Sequence, residues 1–425
     1  MIKIIVVYHN FPNVRGFTTV LFNNIMPILR KKMEIEIVWV IHSNTKISEY
    51  KCEKNERVIR MNDYSNAYEI LEKEKPDLIY LIPGLNTPDY AFSIAAKSLK
   101  IFRIGGEMGN LLFTKRSKMG SLAQMKTNKK DRTLQLQNFL SLNKFLINTQ
   151  RKAGWNYFKI FRDFCSIFPM YFGSGPKLIN KFLSPGYSPK FELDMHFLDS
   201  EDTFKTCTNL GFEKSKLIVT GNPSFDEMFQ SLKTYKNKNQ KDKKNILILT
   251  ALVYASSVKK ALSQRNLFVQ ETINVIPKDE FDVVVKIHPT YENLKDFTNI
   301  IGTNNSSVKV TQNTNLAELI QKADIIITPV SGTSAVCALI VRKPIIIWNV
   351  FNVENDALIQ NELVLQCNDK KSILGQIRKA EKWLPTEEKI EQFMREFFYL
   401  TDGKASERIA DGILNFLKQH KPHLF

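Results

Sequence analysis

A turn of small hydroxylated residues, 331–334, has the composition of a phosphate-binding loop. It stands between a β-branched run, residues 323–328, and an apolar helical pattern that begins at residue 335. A strand that ends at such a turn and continues into a helix presents unpaired backbone N–H groups, which bind anions. Ser and Thr also cap helices without any ligand. The predicted phosphate ligands at this turn are Ser331, Gly332, Thr333 and Ser334.

A second turn, His288-Pro289, follows another apolar run, residues 283–287. Lys286 lies two residues before His288, on the same face of the predicted strand. An imidazole and an ammonium group at a strand end could stabilise the negative charge of a departing phosphate. We therefore assign His288 as a catalytic residue and Lys286 as a phosphate ligand. Lys286 could also be an outward lysine without a ligand.

The amino-terminal half contains candidate groups for the other reactant. Glu107 stands in the glycine-rich turn 105–109, directly after an apolar run. It is the candidate catalytic base for an acceptor hydroxyl, and an ordinary exposed loop acid is the alternative interpretation. His9 and Arg15 in the loop after the first apolar run, together with Glu192, are the candidate acceptor-side residues.

Such turns need parallel strands that end at one edge of a sheet. Apolar runs and amphipathic helical patterns alternate over residues 1–110, and the alternation resumes at 194 and at 245. The expected fold class is α/β, with two doubly wound Rossmann-like domains facing across a cleft. The expected N-terminal, acceptor-side domain spans residues 1–232, a polar linker spans 233–244, and a donor domain with closing helices spans 245–425.

Residues 115–185 interrupt the first alternating pattern. Within them, segment 115–181 contains fourteen basic and two acidic residues, which is most of the net charge of +17. Residues 155–168 place aromatic side chains at helical spacing beside basic ones, which is typical of a helix at a membrane surface. Packing of the aromatic face on the domain core is the alternative. We expect peripheral contact with an anionic membrane and no nucleic-acid partner, because the segment contains no recognisable nucleic-acid module.

The remaining composition argues against several classes of protein. Hydrophobic residues make up 43% and charged residues 24%, which is ordinary for a globular protein. No apolar run approaches the roughly 18 residues that span a bilayer, and the first residues lack a signal-peptide pattern. We expect a cytoplasmic location. If the basic segment binds lipid, that location is the inner face of the membrane. The five cysteines and six histidines show no ligand spacing, so no disulfide framework and no metal are expected.

Four segments of the chain, residues 219–226, the turn at 288, the turn at 331 and residues 402–409, form a recognisable series. In this order they resemble UDP-N-acetylglucosamine 2-epimerases and the related GT-B glycosyltransferases that build surface polysaccharides. The resemblance implies a GT-B fold, a nucleotide-sugar substrate and no further cofactor. It also implies that His288 and the turn 331–334 hold the nucleotide phosphate, with Asn222 among the phosphate-binding residues.

The chain departs from the epimerase pattern at three places. Leu85-Asn86 stands where the epimerases have an acid, the loop 250–257 lacks their His and Arg residues, and Val336-Cys337 replaces a Glu pair that includes the ribose ligand. Epimerisation needs several positioned acid–base groups. We therefore expect a nucleotide-sugar-dependent glycosyltransferase of cell-surface polysaccharide or glycoconjugate biosynthesis, with a glycan or lipid-linked acceptor. The alternatives are a UDP-N-acetylglucosamine 2-epimerase or hydrolysing relative, and a non-catalytic nucleotide-sugar or nucleic-acid-binding protein.

Overall fold

A computed structural model of the protein describes all of its chain except residues 9–16, 42–51, 53, 82–86, 107–128, 163–192, 210, 235–242, 251–258, 289–291, 302–306 and 352–355. The described residues divide into two compact units. The first unit takes those within Met1–Asn110, Asn128–Asp226 and Glu396–Phe425, and the second takes those within Glu227–Arg395. The division therefore differs from the expected domains of residues 1–232 and 245–425, because the closing residues return to the first unit.

The first unit is built on a seven-stranded sheet. Its strands are β1 (Ile2–Tyr8), β2 (Ile35–Ile41), β3 (Glu56–Arg60), β4 (Leu78–Leu81), β5 (Phe102–Gly105), β6 (Met195–Leu198) and β7 (Leu217–Val219). They lie in the order β3-β2-β1-β4-β5-β6-β7, and the described pairs are all parallel. Sheets of this kind are covered on both faces, which explains why most of these strands are continuous apolar runs.

Helices cover both faces of the first sheet. They are α1 (Phe17–Arg30), α2 (Ala67–Glu74), α3 (Thr87–Ser98), α4 (Lys129–Lys152), α5 (Glu201–Asn209) and, from the carboxyl end of the chain, α14 (Ala405–His420). One core cluster joins α1 and α14 to the sheet, with Ile409, Ile413 and Leu417 of α14 buried against residues such as Ile4 and Trp39. A second cluster joins α2, α3 and α4 to the opposite face. Within the described residues, no helix combines the length and apolar composition needed to cross a bilayer.

Strand β3 is an element that the apolar pattern does not predict. Its charged residues are half-buried in ion pairs: Glu56 binds Arg30 at 2.6 Å, and Arg57 binds Glu36 at 3.1 Å. Arg57 also pairs with Glu74 of α2. Charged side chains are tolerated here because β3 is an edge strand, where such residues also discourage pairing with other chains.

The second unit is built on a six-stranded parallel sheet. Its strands are β8 (Lys244–Leu249), β9 (Phe281–Lys286), β10 (Lys309–Thr311), β11 (Ile325–Thr328), β12 (Ile345–Trp348) and β13 (Leu365–Cys367). The helices are α6 (Asp226–Thr234), α7 (Lys259–Val275), α8 (Leu294–Ile301), α9 (Leu316–Lys322), α10 (Thr333–Ile340), α11 (Ala357–Gln360), α12 (Ile373–Ala380) and α13 (Glu387–Phe398). The strand order is β10-β9-β8-β11-β12-β13. The expected fold class, α/β with two doubly wound domains, is confirmed.

Asp226 joins two segments that are far apart in the sequence. Its carboxylate accepts hydrogen bonds from the amides of Ala405 at 2.9 Å and Ser406 at 2.7 Å, at the start of α14. Amides in the first turn of a helix have no partner within the helix, and a buried carboxylate satisfies them while favouring the positive end of the helix dipole. The segments 219–226 and 402–409 therefore have a structural role within the first unit.

Replacement of Asp226 by Ala tests this role. We expect a loss of about 1–3 kcal/mol of stability in the first unit, because two buried amides lose their acceptor. Urea denaturation and hydrogen exchange of the α14 amides measure the effect. The neighbouring exposed Glu227, replaced by Ala, is the matched control. Equal behaviour of the two variants would contradict the assignment.

Candidate functional site

The two turns expected to bind phosphate lie at the same edge of the second sheet. His288 follows β9 and the turn 331–334 follows β11, and both strands pair in parallel with β8. With neighbouring strands roughly 4.8 Å apart, the two strand ends are about 10 Å from each other. Thr250, at the end of β8, lies between them. Strand order reverses at β8, and doubly wound sheets bind their ligands at such a switch point.

The main chain of His288 is held on both sides. Its amide donates to Glu292 Oε2 at 2.5 Å, and its carbonyl oxygen accepts from Gln312 Nε2 at 3.3 Å. Gln312 Nε2 also donates to the carbonyl oxygen of Glu292 at 2.7 Å. The half-buried imidazole is therefore carried by a turn whose backbone is fixed on either side.

Glu292 connects three elements and was not identified from the sequence. Its buried carboxylate accepts from the Thr250 hydroxyl and the His288 amide, and it pairs with Arg265 Nη1 of α7 at 3.0 Å. The Arg265 guanidinium lies 4.6 Å from the ring centroid of Phe297 in α8. A buried charge is tolerated when it is paired and hydrogen-bonded in this way. The carboxylate thus joins the ends of β8 and β9. The only hint of this role in the sequence is that Glu292 lies four residues after His288.

Lys286 does not extend outward from the sheet. It is buried, and its ammonium donates to the carbonyl oxygens of Ile287 at 2.9 Å and Gln312 at 2.6 Å. The bond to Gln312 crosses from β9 to the end of β10. Burial of Lys286 contradicts its interpretation as an outward lysine. Its ammonium binds main-chain carbonyls next to the His288 turn, and its role as a phosphate ligand stays a prediction.

Ser331 also has a different role from the one expected. Its amide donates to Asp356 Oδ2 at 2.9 Å, and its hydroxyl donates to Asp356 Oδ1. Asp356 in turn caps α11 by accepting from the amides of Leu358 and Ile359. Ser331 was expected to bind phosphate, but its amide and its hydroxyl both donate to a buried carboxylate 25 residues later in the chain.

The start of α10 presents the donors that remain in this turn. Gly332 occupies the N-cap position with an extended backbone and without a side-chain cap. Among the described residues, the amides of Gly332 and Ser334 have no hydrogen-bond partner, and a Cβ placed on Gly332 would meet nothing within 4 Å. Thr333 is the first residue of the helix, and its side chain lies outside the described part. Open space beside unpaired helix amides is what an anion requires.

The two residues that the sequence comparison placed at the epimerases' Glu pair are part of the core. Val336 and Cys337 are both 1% exposed within α10. Burial raises the pKa of the Cys337 thiol to about 12, so it remains protonated and unreactive. Neither side chain can serve as a hydrogen-bond acceptor for a ribose in the way a carboxylate does.

The candidate residues of the first unit are placed as follows. Asn222 caps the turn Pro223–Phe225, since its carboxamide oxygen accepts from the Ser224 amide at 3.0 Å and the Ser224 hydroxyl at 2.7 Å. Its acceptor oxygen is therefore used within the first unit, while its role as a phosphate ligand stays a prediction. The candidates outside the described residues are His9, Arg15, Glu107 and Glu192.

The two glycines before Glu107 are explained by packing between strands. A Cβ on Gly105 would lie 1.8 Å from the Leu81 carbonyl oxygen, and one on Gly106 would lie 1.8 Å from the Phe197 carbonyl oxygen. Both distances are far below contact, so only glycine fits at this end of β5. Close approach of neighbouring strands therefore requires these glycines, whether or not a ligand also approaches them.

Asp199 is a buried acid at the carboxyl end of β6. Its Oδ1 accepts from Thr203 Oγ1 at 2.5 Å and Ser200 Oγ at 3.2 Å, whereas its Oδ2 has no hydrogen-bond partner in the described part of the chain. Burial raises the pKa of the Asp199 carboxyl to about 6, against the lowering effect of the two hydroxyls. The apolar residues before Asp199 predict a core strand that ends at this position. The sequence pattern does not show that the carboxyl group itself is buried.

In chemical terms, the described edge of the second sheet is suited to binding an anion. Helix amides at the start of α10 and the imidazole of His288 are donors, while the carboxylates of Glu292 and Asp356 are engaged by protein groups. Across the described ranges, no three His, Cys, Asp or Glu residues are grouped to hold a metal ion.

A family model for UDP-N-acetylglucosamine 2-epimerase matches residues 193–414, just over half of the chain. The match begins before β6 and extends through the whole second unit into α14. The chain belongs to the UDP-N-acetylglucosamine 2-epimerase family, which confirms the resemblance seen in the sequence. No curated protein matches the sequence.

Solved structures with the same fold include both kinds of enzyme. A calicheamicin glycosyltransferase aligns with a TM-score of 0.56 at 13% identity, covering 99% of both chains. A UDP-GlcNAc 2-epimerase from Neisseria meningitidis bound to UDP-GlcNAc gives 0.54 at 16% identity, covering 97% of this chain and 100% of the other. The Methanocaldococcus jannaschii epimerase in complex with UDP-GlcNAc and UDP gives 0.52 at 18% identity, covering 98% and 100%. These similarities confirm the GT-B fold.

The pKa of Asp199 gives a pH-dependent prediction. Because the folded-state pKa lies above the ordinary value of 3.8, the folded protein holds this proton more tightly, and stability falls as pH rises from about 4 to 6. Asp199→Asn removes the penalty and should stabilise the first unit by about 1–3 kcal/mol near pH 8, and by roughly half as much near pH 5.

Urea denaturation of parent and variant at both pH values measures this difference. Glu201→Gln, which removes an exposed acid at the start of α5, is the control and should give no comparable gain. A gain that is the same at both pH values would mean that titration of Asp199 does not cause it.

Proposed function

We propose that this protein acts on a UDP-linked N-acetylhexosamine and that its reaction is 2-epimerisation. The match of the family model over residues 193–414 carries the proposal. The match supports 2-epimerisation, which was the alternative in the sequence analysis, over the glycosyltransferase reaction that was expected from the sequence. The matched range includes His288, the start of α10 and the network around Glu292, so the resemblance covers the residues to which we give a role.

The proposed site binds the nucleotide diphosphate at the start of α10. Epimerisation through loss and re-addition of the nucleotide transfers the proton on sugar carbon C2 to a base and breaks the bond between C1 and the phosphate oxygen, which leaves negative charge on that oxygen. The reverse steps return the proton to the other face of C2 and the nucleotide to C1. Amides at a helix start favour this charge without reorganisation at the moment of reaction. In the proposed mechanism the amides of Gly332 and Ser334 bind phosphate oxygens, and His288 stabilises the leaving oxygen. Glu292 holds the His288 turn in place.

A nucleotide-sugar-dependent glycosyltransferase is the second candidate, and one observation favours it. Val336 and Cys337 are buried in α10 at the place where the epimerases have a Glu pair. A transferase needs one activated acceptor hydroxyl, whereas an epimerase must remove and restore a ring proton. In both candidates the nucleotide leaves from the same site, and neither requires a cofactor beyond the nucleotide sugar.

Incubation with UDP-GlcNAc in the absence of any acceptor tests the proposed reaction. Proton NMR of the sugar should show the 2-epimer accumulating until the two nucleotide sugars reach equilibrium. Unchanged UDP-GlcNAc, with sugar transfer once a glycan or lipid-linked acceptor is added, would reject epimerisation in favour of the transferase. Binding of UDP with no turnover under either condition would indicate a non-catalytic protein.

Two substitutions of Gly332 test the phosphate site independently of the reaction. Gly332→Asp and Gly332→Asn have side chains of nearly the same shape, and a Cβ at this position meets nothing within 4 Å. Both residues are good N-caps, so neither should destabilise α10. Only Asp adds a charge that repels phosphate.

We expect Gly332→Asp to weaken UDP binding about tenfold or more relative to Gly332→Asn, consistent with about 1.4 kcal/mol of repulsion. Isothermal titration with UDP, supported by the shift in melting temperature on adding UDP, measures the difference. Equal affinity in the two variants would mean that phosphate binds elsewhere. Equal loss in both would mean that the side chain obstructs the ligand and that charge is not involved.

A further inference from the structure

Three large aromatic side chains of the first unit face outward within a single helical turn. Tyr157 is 76% exposed, Phe158 is 74% exposed and Phe161 is 66% exposed. They belong to the helical stretch 157–162, which follows α4. An isolated exposed apolar residue needs no explanation, but adjacent ones that form a patch usually mark an interaction surface. The exposure of Phe158 and Phe161 contradicts the alternative that the aromatic face packs on the domain core, and the later aromatic residues of that face lie outside the described part of the chain.

The inner side of this stretch is hydrogen-bonded and packed against the first unit, so the exposed aromatic residues do not belong to an unsupported loop. Gly154, with a φ of +77°, lies in the turn that follows α4, and the Trp155 amide donates to the Gln150 carbonyl oxygen at 3.0 Å. Asn156 caps the next turn by accepting from the Lys159 amide at 2.8 Å. Ile160 is buried, at 6% exposure. The inner side of the turn is thus fixed, and its outer side carries the aromatic rings.

Exposed basic residues flank the aromatic side chains along the chain. Arg151, Lys152, Lys159 and Arg162 are all exposed, and residues 140–162 contain no acidic residue. The Lys159 ammonium lies 3.8 Å from the ring centroid of Trp155, so its charge is held on the stretch that presents the aromatic side chains. We call these four basic residues with Tyr157, Phe158 and Phe161 the aromatic–basic surface.

We propose that the aromatic–basic surface binds the headgroup region of an anionic lipid bilayer. Aromatic side chains favour the boundary between headgroups and acyl chains, where the ring leaves water while polar groups stay hydrated. Lys and Arg next to them are attracted to acidic lipids. The two features occur together in peripheral proteins that lie on a membrane without crossing it. The surface is on the first unit, whereas the proposed nucleotide site is on the second, so this inference does not depend on the reaction.

Co-sedimentation with vesicles tests the proposal on the full-length protein. Binding to vesicles that contain phosphatidylglycerol should exceed binding to pure phosphatidylcholine vesicles by tenfold or more, and should weaken as salt is raised. Arg151→Gln, Lys152→Gln and Arg162→Gln together should reduce binding to the acidic vesicles about a hundredfold, since each removes one attractive charge. Tyr157→Ser, Phe158→Ser and Phe161→Ser together should reduce it tenfold or more.

Matched variants elsewhere serve as controls. Leu267→Ser, Leu384→Ser and Leu400→Ser remove exposed apolar residues, and Lys371→Gln, Lys379→Gln and Lys382→Gln remove exposed charges. Both sets should leave vesicle binding within about twofold of the parent. A loss of binding in the control variants equal to that in the surface variants would overturn the proposal, as would equal binding to neutral and acidic vesicles.

A gain of signal complements these losses. In Phe158→Trp the new indole should shift its emission to shorter wavelength when acidic vesicles are added, because it leaves water. No shift under conditions where the protein sediments with the vesicles would mean that another surface contacts the lipid. Tighter binding to a short RNA or DNA duplex than to the vesicles, lost in the Arg151, Lys152 and Arg162 variant, would replace the membrane with nucleic acid as the partner.

Discussion

Parallel strand pairing in the second sheet is the constraint on which the candidate site depends. Since β9, β8 and β11 run in the same direction, the residues that follow them emerge at one edge. His288 and the start of α10 are far apart in the sequence and are brought together by this arrangement alone. Antiparallel pairing of any one of these strands would send its following turn to the opposite edge, and no choice of side chains could restore the site.

Much of the fold could be predicted because buried parallel strands have a simple pattern. The apolar runs at β1, β2, β8, β11 and β12 and the helical patterns between them indicate two doubly wound sheets. Strand β3 was missed because its charged residues find partners on neighbouring elements, and such partners are invisible in a local window. The closing residues were assigned to the wrong unit for a related reason, since nothing in the pattern of α14 tells which sheet it packs against.

The site was predicted less completely than the fold, since residue type does not specify the partner. Ser331, Lys286 and Asn222 all have the chemistry of phosphate ligands. In the structure Ser331 and Lys286 donate to Asp356 and to the Gln312 carbonyl oxygen, and the Asn222 carboxamide oxygen accepts from Ser224. A turn can be placed at a strand end from its neighbours along the chain, but whether its donors point to a ligand depends on residues that approach from other elements.

The packing of α14 also determines when the protein can complete its folding during synthesis. Its residues Ile409, Ile413 and Leu417 fill the core beneath the first sheet, so that core stays open until the last helix has left the ribosome. The second unit, by contrast, takes its described residues from the continuous stretch 227–395, and all of them emerge earlier. Vectorial synthesis usually lets the amino-terminal domain fold first. Here we expect the second unit to fold first. Until α14 is available, the apolar face of the first sheet that α14 covers stays exposed and is a binding site for chaperones.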